Sequence, residues 1–160
     1  MKTLYLVRHA KSSWKDSSLK DFDRHLNKRG LHDAPMMGKV LNELNIEVEF
    51  IISSPAKRTK DTAQIIASEI GFLKEIRFDI DLYEATFEKL LSKIRNLDIN
   101  LNKVMIVGHN PGLTNLANYL LKEFITNLPT CGVIALTFDN SWKNITPKDC
   151  KIIFFEYPKK

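Results

Sequence analysis

The sequence predicts an α/β protein, a three-layer α/β/α sandwich whose mostly parallel central sheet carries one antiparallel element at an edge. Three observations predict it. Short apolar runs that read as buried strands alternate with longer stretches of helical periodicity. Their order is strand, helix, strand, helix, which parallel crossover units produce. The last two strand-like runs, about 132–138 and 151–156, have no helical pattern between them and so pair antiparallel. At 160 residues the chain fits a single domain, 1–160, large enough to bury a core.

Each element follows from local signals. Residues 2–7 read as a buried strand, and residues 10–26 as a long polar loop of the kind that carries function in compact domains. Asn27 caps a helix with apolar positions Leu31, Met37, Leu41 and Leu44, and Pro35 and Gly38 inside that pattern predict a kink or break. After a strand at 49–53, Ser54-Pro55 offers a capping hydroxyl followed by proline at the first helical position. That helix carries Ala63, Ile66 and Ile70 and stops at Gly71. A short strand at 75–78 precedes a helix from about Thr86 to Leu97, with Leu90, Leu91, Ile94 and Leu97 on one face. Residues 103–107 form another buried strand, and Asn110-Pro111 repeats the cap-plus-proline start before Leu113, Leu116, Ala117, Leu120 and Leu121.

Bulk properties narrow the function. The chain is 44% apolar and 27% charged, ordinary for a soluble globular domain. Lys2 and Thr3 lead directly into a strand-like run, unlike a signal peptide, and no apolar stretch approaches the length of a membrane span. A cytoplasmic location, no membrane partner and a monomer are the default expectations. Cys131 and Cys150 are too few and too far apart for a metal knuckle, so buried reduced thiols are expected. The formal charge of +5 lies wholly in residues 1–60, which hold 12 Lys/Arg against 7 Asp/Glu. These cations are scattered among Asp16, Asp21 and Asp23 rather than clustered with aromatics, which fits an anionic substrate better than nucleic acid. An ordinary solvated basic surface accounts for the charge equally well.

Chemistry concentrates at three strand ends. "LYLVRHA" runs an apolar strand into Arg8 and His9; "FIISSPAKRT" puts Arg58 in the turn after the next strand; "VMIVGHNPG" delivers His109. In open α/β sheets ligands sit outside the carboxyl ends of the strands, where these four residues fall. The helix starts nearby add backbone N–H groups and positive dipole ends, and arginine forks match phosphate or carboxylate oxygens. Histidine, with a reference pKa near 6.5, can serve as a neutral nucleophile at physiological pH. There is no glycine-rich phosphate loop and no acidic or histidine cluster with metal-ligand spacing, so no cofactor and no metal are expected. A lone histidine at a strand end is more often a hydrogen-bonded structural group, and a lone arginine in a helix's first turn is usually solvated. Four such residues converging on one sheet edge decide for a site. His25 and His32 lack that context and keep a structural or surface reading.

"LVRHAKS", "SSPAKRTKDTA" and "VGHNPGL" resemble the signature segments of the histidine phosphatase superfamily, which has the phosphoglycerate-mutase-like fold. "RHAKSSW", "DFDRHLNKRG", "LYEA" and "NLPTCGV" resemble, more narrowly, its small SixA-type phosphohistidine phosphatases. The resemblance covers nearly the whole chain. It implies a phosphatase in which His9 takes the phosphoryl group while Arg8, Arg58 and His109 bind its oxygens, with Glu84 in the position of the acid. Lys15 stands where many members carry an asparagine that contacts phosphate, and is a substrate-binding candidate on that ground. The chain lacks the long insertions that cover the site in mutases, and an uncovered site favours hydrolysis. The implied partner is a phosphorylated protein, as phosphohistidine, or a small phosphate ester. A non-catalytic phosphate-binding module on the same fold is the alternative.

Overall fold

The computed structural model describes residues 1–159. Six strands form one sheet: β1 (Lys2–Arg8), β2 (Phe50–Ser53), β3 (Arg77–Phe78), β4 (Lys103–Gly108), β5 (Val133–Phe138) and β6 (Lys151–Glu156), in the order β3-β2-β4-β1-β5-β6. The first four run parallel, β5 is antiparallel to β1, and β6 is antiparallel to β5. Four helices cover the sheet: α1 (Lys28–Glu43), α2 (Lys57–Glu69), α3 (Phe87–Arg95) and α4 (Gly112–Leu120).

Strand alternation divides the core in two. Leu4, Leu6, Val104, Ile106, Ile134 and Leu136 pack with the apolar faces of α3 and α4. Their neighbours Tyr5, Val7, Met105, Val107, Val133 and Ala135 pack with α1 and α2 on the other face. Both faces of the sheet are buried, which is why these strands read as continuous apolar runs. The architecture is the expected three-layer sandwich with the antiparallel element at one side.

Some boundaries differ from the sequence reading. Helix α1 runs unbroken through Pro35 and Gly38 where a kink or break was expected. Proline leaves the carbonyl four residues earlier unbonded, and that residue, Leu31, is exposed to water. Gly38 is needed for packing: a Cβ there would lie 2.6 Å from the Cβ of Glu69 in α2. Met37 and Leu41 are buried, whereas Leu31 and Leu44 face solvent. Helix α2 begins at Lys57 rather than beside Pro55, because Ala56 is still extended (φ −55°, ψ 143°) and carries no side-chain cap. Gly71, at φ 73°, stops the chain after it as expected. The strand expected over 75–78 shrinks to two residues; the expected cap Asn27 accepts from the Gly30 N–H, and Thr86, just before α3, caps it by accepting from the Lys89 N–H. Cys131 and Cys150 are both buried and unpaired.

Candidate active site

Sheet register assembles the site. Arg8 is the last residue of β1 and pairs with Gly108, the last of β4. The next residues, His9 and His109, therefore emerge side by side, their ring centroids 5.3 Å apart. Ser53 of β2 pairs with Val107, which carries Ser54 to the side of His109. Arg58 enters from the first turn of α2, and a cavity of about 500 Å³ is lined by Arg8, His9, Arg58, His109 and Glu84. Five of the six candidates thus share one cavity. Lys15 is exposed and lies outside its lining; Lys11, Ser12 and Trp14 of the same loop form the near rim instead.

Backbone contacts lock His9. Its Nδ1 lies 2.7 Å from the carbonyl oxygen of Ala10, which can only accept, so Nδ1 carries the proton and Nε2 presents a lone pair. The Ala10 N–H donates to Thr62 Oγ1 (2.9 Å), and the Thr62 hydroxyl donates to the Arg58 carbonyl (2.8 Å). Thr62 thereby ties the loop behind His9 to α2. The Cys131 N–H donates to the His9 carbonyl at 3.0 Å, adding a third anchor. Burial, followed by the charges of Arg58, Arg8 and Arg24, pushes the His9 pKa down to about 4. His9 is therefore neutral at physiological pH.

Ser54 orients the second imidazole. Its Oγ lies 2.8 Å from His109 Nε2 and accepts both that ring N–H and, at 3.3 Å, the Ala56 N–H. Arg58 Nη2, which can only donate, bonds to Nδ1 at 3.5 Å, so Nδ1 accepts and the ring proton sits on Nε2. Burial, then His9 and Arg58, holds the His109 pKa at about 3.

A carboxylate that sequence reasoning assigned no role organises the arginines. Asp21, in a 3-10 turn at Asp21–Asp23, accepts from Arg58 Nη2 (3.0 Å), Arg24 Nε (3.0 Å) and the Tyr83 hydroxyl (2.5 Å). Its carbonyl takes a further bond from Arg58 Nη1 at 2.7 Å. Burial raises the Asp21 pKa, but the bonds from Tyr83, Arg58 and Arg24 outweigh it and bring the value down to about 2. The Tyr83 phenol is correspondingly pushed up to about 12, by burial and then by Asp21. Arg24 also donates to Ser12 Oγ (2.6 Å), and its guanidinium lies 3.4 Å from the centroid of the Trp14 ring, which is 76% exposed. The signal for this network was the "DFDRH" run, whose acid and base stand three apart.

The Nε atoms of Arg8 and Arg58 are buried without a hydrogen-bond partner among the described residues. Buried donors normally find partners, so this pair points to an anion as what they serve. Glu84 is exposed on the rim at φ 53°, a left-handed conformation uncommon for a non-glycine residue. The turn carrying it presses on α4, where a Cβ on Gly112 would lie 2.2 Å from the Ala85 carbonyl oxygen. Glycine at 112 lets the Glu84 turn approach the loop carrying His109.

Comparison with known proteins agrees with the fold. The family model of the histidine phosphatase superfamily (branch 1) matches residues 4–97. An uncharacterised chloroplastic protein of Arabidopsis thaliana is 34% identical over 152 residues, covering 88% of this chain and 68% of the relative. Among solved structures, SixA of Agrobacterium tumefaciens, assigned as a phosphohistidine phosphatase, superposes with a TM-score of 0.84 at 28% identity over 98% of both chains. The protein histidine phosphatase SixA complexed with tungstate has the same fold, with a TM-score of 0.84 at 17% identity over 98% of this chain and 97% of its own.

Proposed function

The chain belongs to the histidine phosphatase superfamily, and from that premise we propose that it is a metal-independent phosphatase working through a phosphohistidine on His9. The observation that carries this reading is the His9 imidazole, neutral and with Nδ1–H held by a backbone carbonyl, among cationic donors. In the first step the Nε2 lone pair attacks phosphorus in line, the P–N bond forms, and the P–O or P–N bond to the leaving group breaks. The resulting phosphorylated imidazolium keeps its Nδ1 proton on the Ala10 carbonyl, which stabilises the positive ring. In the second step water attacks phosphorus, the P–Nε2 bond breaks, and phosphate leaves with neutral His9 restored.

Arg8 and Arg58, whose buried Nε–H groups have no partner among the described residues, and His109, which would shift to its Nδ1–H tautomer once an anion draws Arg58 away, would hold the three phosphoryl oxygens. Phosphoryl transfer depends mainly on such positioning and charge stabilisation. Glu84 is the proton donor to an alkoxide leaving group and the base toward the incoming water. Its rim position and left-handed backbone support that role, since strained residues collect at functional sites.

The substrates are phosphohistidine on proteins and small phosphate monoesters, and the cytoplasm is the compartment. The SixA likeness supports the first substrate, and the unpaired thiols fit a reducing environment. No helix among the described residues is long and apolar enough to cross a membrane. The deciding assay is hydrolysis of an aryl phosphate in excess chelator, with mass spectrometry of acid-sensitive, base-stable phosphate on a peptide containing His9. Activity should survive the chelator and fall by roughly six orders of magnitude in His9→Ala, the scale of losing a covalent nucleophile. Full activity in His9→Ala would leave a different nucleophile, and no activity in the parent would leave a phosphate-binding module.

A further inference from the structure

A second cavity of about 300 Å³ shares a wall with the first, since Lys11 and Thr130 line both. From it we infer a docking subsite for an acidic segment of a phosphoprotein substrate, beside the residue being dephosphorylated. The inference rests on the phosphatase reading for what arrives at the neighbouring site.

Rigid elements frame this cavity. On one side stands the start of α1, contributing Arg29 and Asp33. Lys11 is fixed to it: its carbonyl accepts the Asn27 N–H at 3.0 Å, and a Cβ on Gly30 would lie 2.2 Å from that same oxygen. Thr130 belongs to the turn in which the Gly132 N–H donates to Pro129, and the next residue, Cys131, donates to the His9 carbonyl at 3.0 Å. The far side is the segment after β6, with Tyr157 and Lys159. An occupant would therefore sit against the same backbone that positions the nucleophile.

Charge decides what the occupant is. The lining holds three cations, Lys11, Arg29 and Lys159, against one carboxylate, Asp33. Asp33 is buried and sits 3.7 Å from Arg29 Nε, so these two charges largely answer each other and Lys11 and Lys159 carry the net positive charge of the cavity. Arg29 remains 45% exposed, and Lys11 and Lys159 are exposed. What the cavity presents outward is positive, with a tyrosine and two prolines supplying apolar walls. That combination suits an extended chain bearing Asp or Glu, whose carboxylates meet the cations while its backbone and methylenes meet the rings. The size is at the lower end of small-ligand sites and accepts a few side chains at a time. The uncovered active site lets a chain run from one cavity into the other.

The test uses peptides carrying one phosphoserine or one histidine phosphorylated with phosphoramidate, flanked either by four glutamates or by four glutamines. Binding is read by fluorescence anisotropy in the His9→Ala protein at low salt, and hydrolysis by KM and kcat in the otherwise unaltered chain. The acidic peptide should bind at least about tenfold tighter, and 0.3 M salt should collapse that preference because exposed charges are screened. Lys159→Glu and Arg29→Glu should each remove most of the preference by raising KM, with kcat and the hydrolysis of an aryl phosphate unchanged. Arg29 sits over buried Asp33, so Lys159→Glu on the exposed tail carries the result should Arg29→Glu fold poorly. Equal binding of the two peptides, or a preference that survives both reversals, overturns the proposal. So does a loss confined to small compounds bearing a second phosphate, which would make the cavity a small-anion subsite. Absence of catalysis in the parent overturns the phosphatase reading instead, since binding is measured without turnover.

Discussion

The floor and the rim of the active-site cavity are built by opposite rules. On the floor, His9, Arg58 and His109 are buried, and each is held by bonds to backbone or to a neighbour that is itself held. On the rim, Trp14, Lys11 and Glu84 are exposed, their backbones anchored but their side chains reaching into solvent. In the proposed reaction the floor would handle a group common to every substrate, three oxygens on phosphorus, and would gain from fixed donors that need no reorganisation. The rim meets what differs between substrates. The comparison teaches that rate should depend on the floor with all substrates, and on the rim only with some.

The largest effect, and one on every substrate, should come from Arg58→Lys. A lysine cannot reproduce the fork that holds Asp21 with two nitrogens and leaves Nε for the phosphoryl group. Turnover should fall at least about 100-fold on every substrate, the scale of losing one preorganised donor. Turnover equal to the parent would remove the bidentate role. Glu84→Gln comes next and should be selective. Alkyl phosphates expel an alkoxide that needs a proton, so their hydrolysis should slow by about 100-fold. Aryl phosphates and phosphohistidine have better leaving groups and should slow by only a few-fold. Equal slowing of all three would return Glu84 to a purely structural place.

A titration sharpens the contrast without any substitution. With pKa values pushed down to about 4 and 3, His9 and His109 should stay neutral at pH 6 in ligand-free protein, as imidazole NMR shifts would report. Both values lie below the unfolded reference near 6.5. Unfolded chains therefore bind more protons in between, and stability should be full above about pH 6.5 and decline as pH falls toward 4. Protonation of either ring near pH 6.5 would contradict the burial described for the floor. The smallest effect is expected for Lys15→Ala. Lys15 lies outside the cavity lining, and its charge acts through water that screens within about 8 Å at physiological salt. KM for a small ester should change by less than about twofold.

The floor was legible in the sequence because strand ends are legible. An apolar run followed by Arg-His or by Gly-His states both where the strand stops and what it presents. Parallel pairing then brings such ends together, as Arg8 opposite Gly108 does for the two histidines. What eluded sequence reasoning depends on contacts between distant loops. Asp21 reaches Tyr83 across 62 positions and Arg58 across 37, and no periodicity marks a residue for such a meeting. Ser54 looked like a helix cap because Ser-Pro usually is one; its hydroxyl instead serves His109, and α2 starts later. Pro35 was misjudged because the unbonded carbonyl it creates falls on the solvent side of α1. Lys15 rests on resemblance to a motif; it is exposed and outside the cavity lining, where its neighbour Trp14 stands.

The indole of Trp14 has one more consequence. The chain has two tryptophans, and the other, Trp142, is 1% exposed and packs against Phe138 far from the cavity. Its emission should be blue-shifted and indifferent to ligands. Trp14 lies in water with a guanidinium on its face, and that guanidinium is tied through Asp21 to Arg58 on the floor. An oxyanion drawing on Arg58 would redistribute charge along this chain and alter the quenching of Trp14. The protein carries its own optical gauge of occupancy, read from the red edge of its fluorescence while the buried tryptophan supplies the constant background.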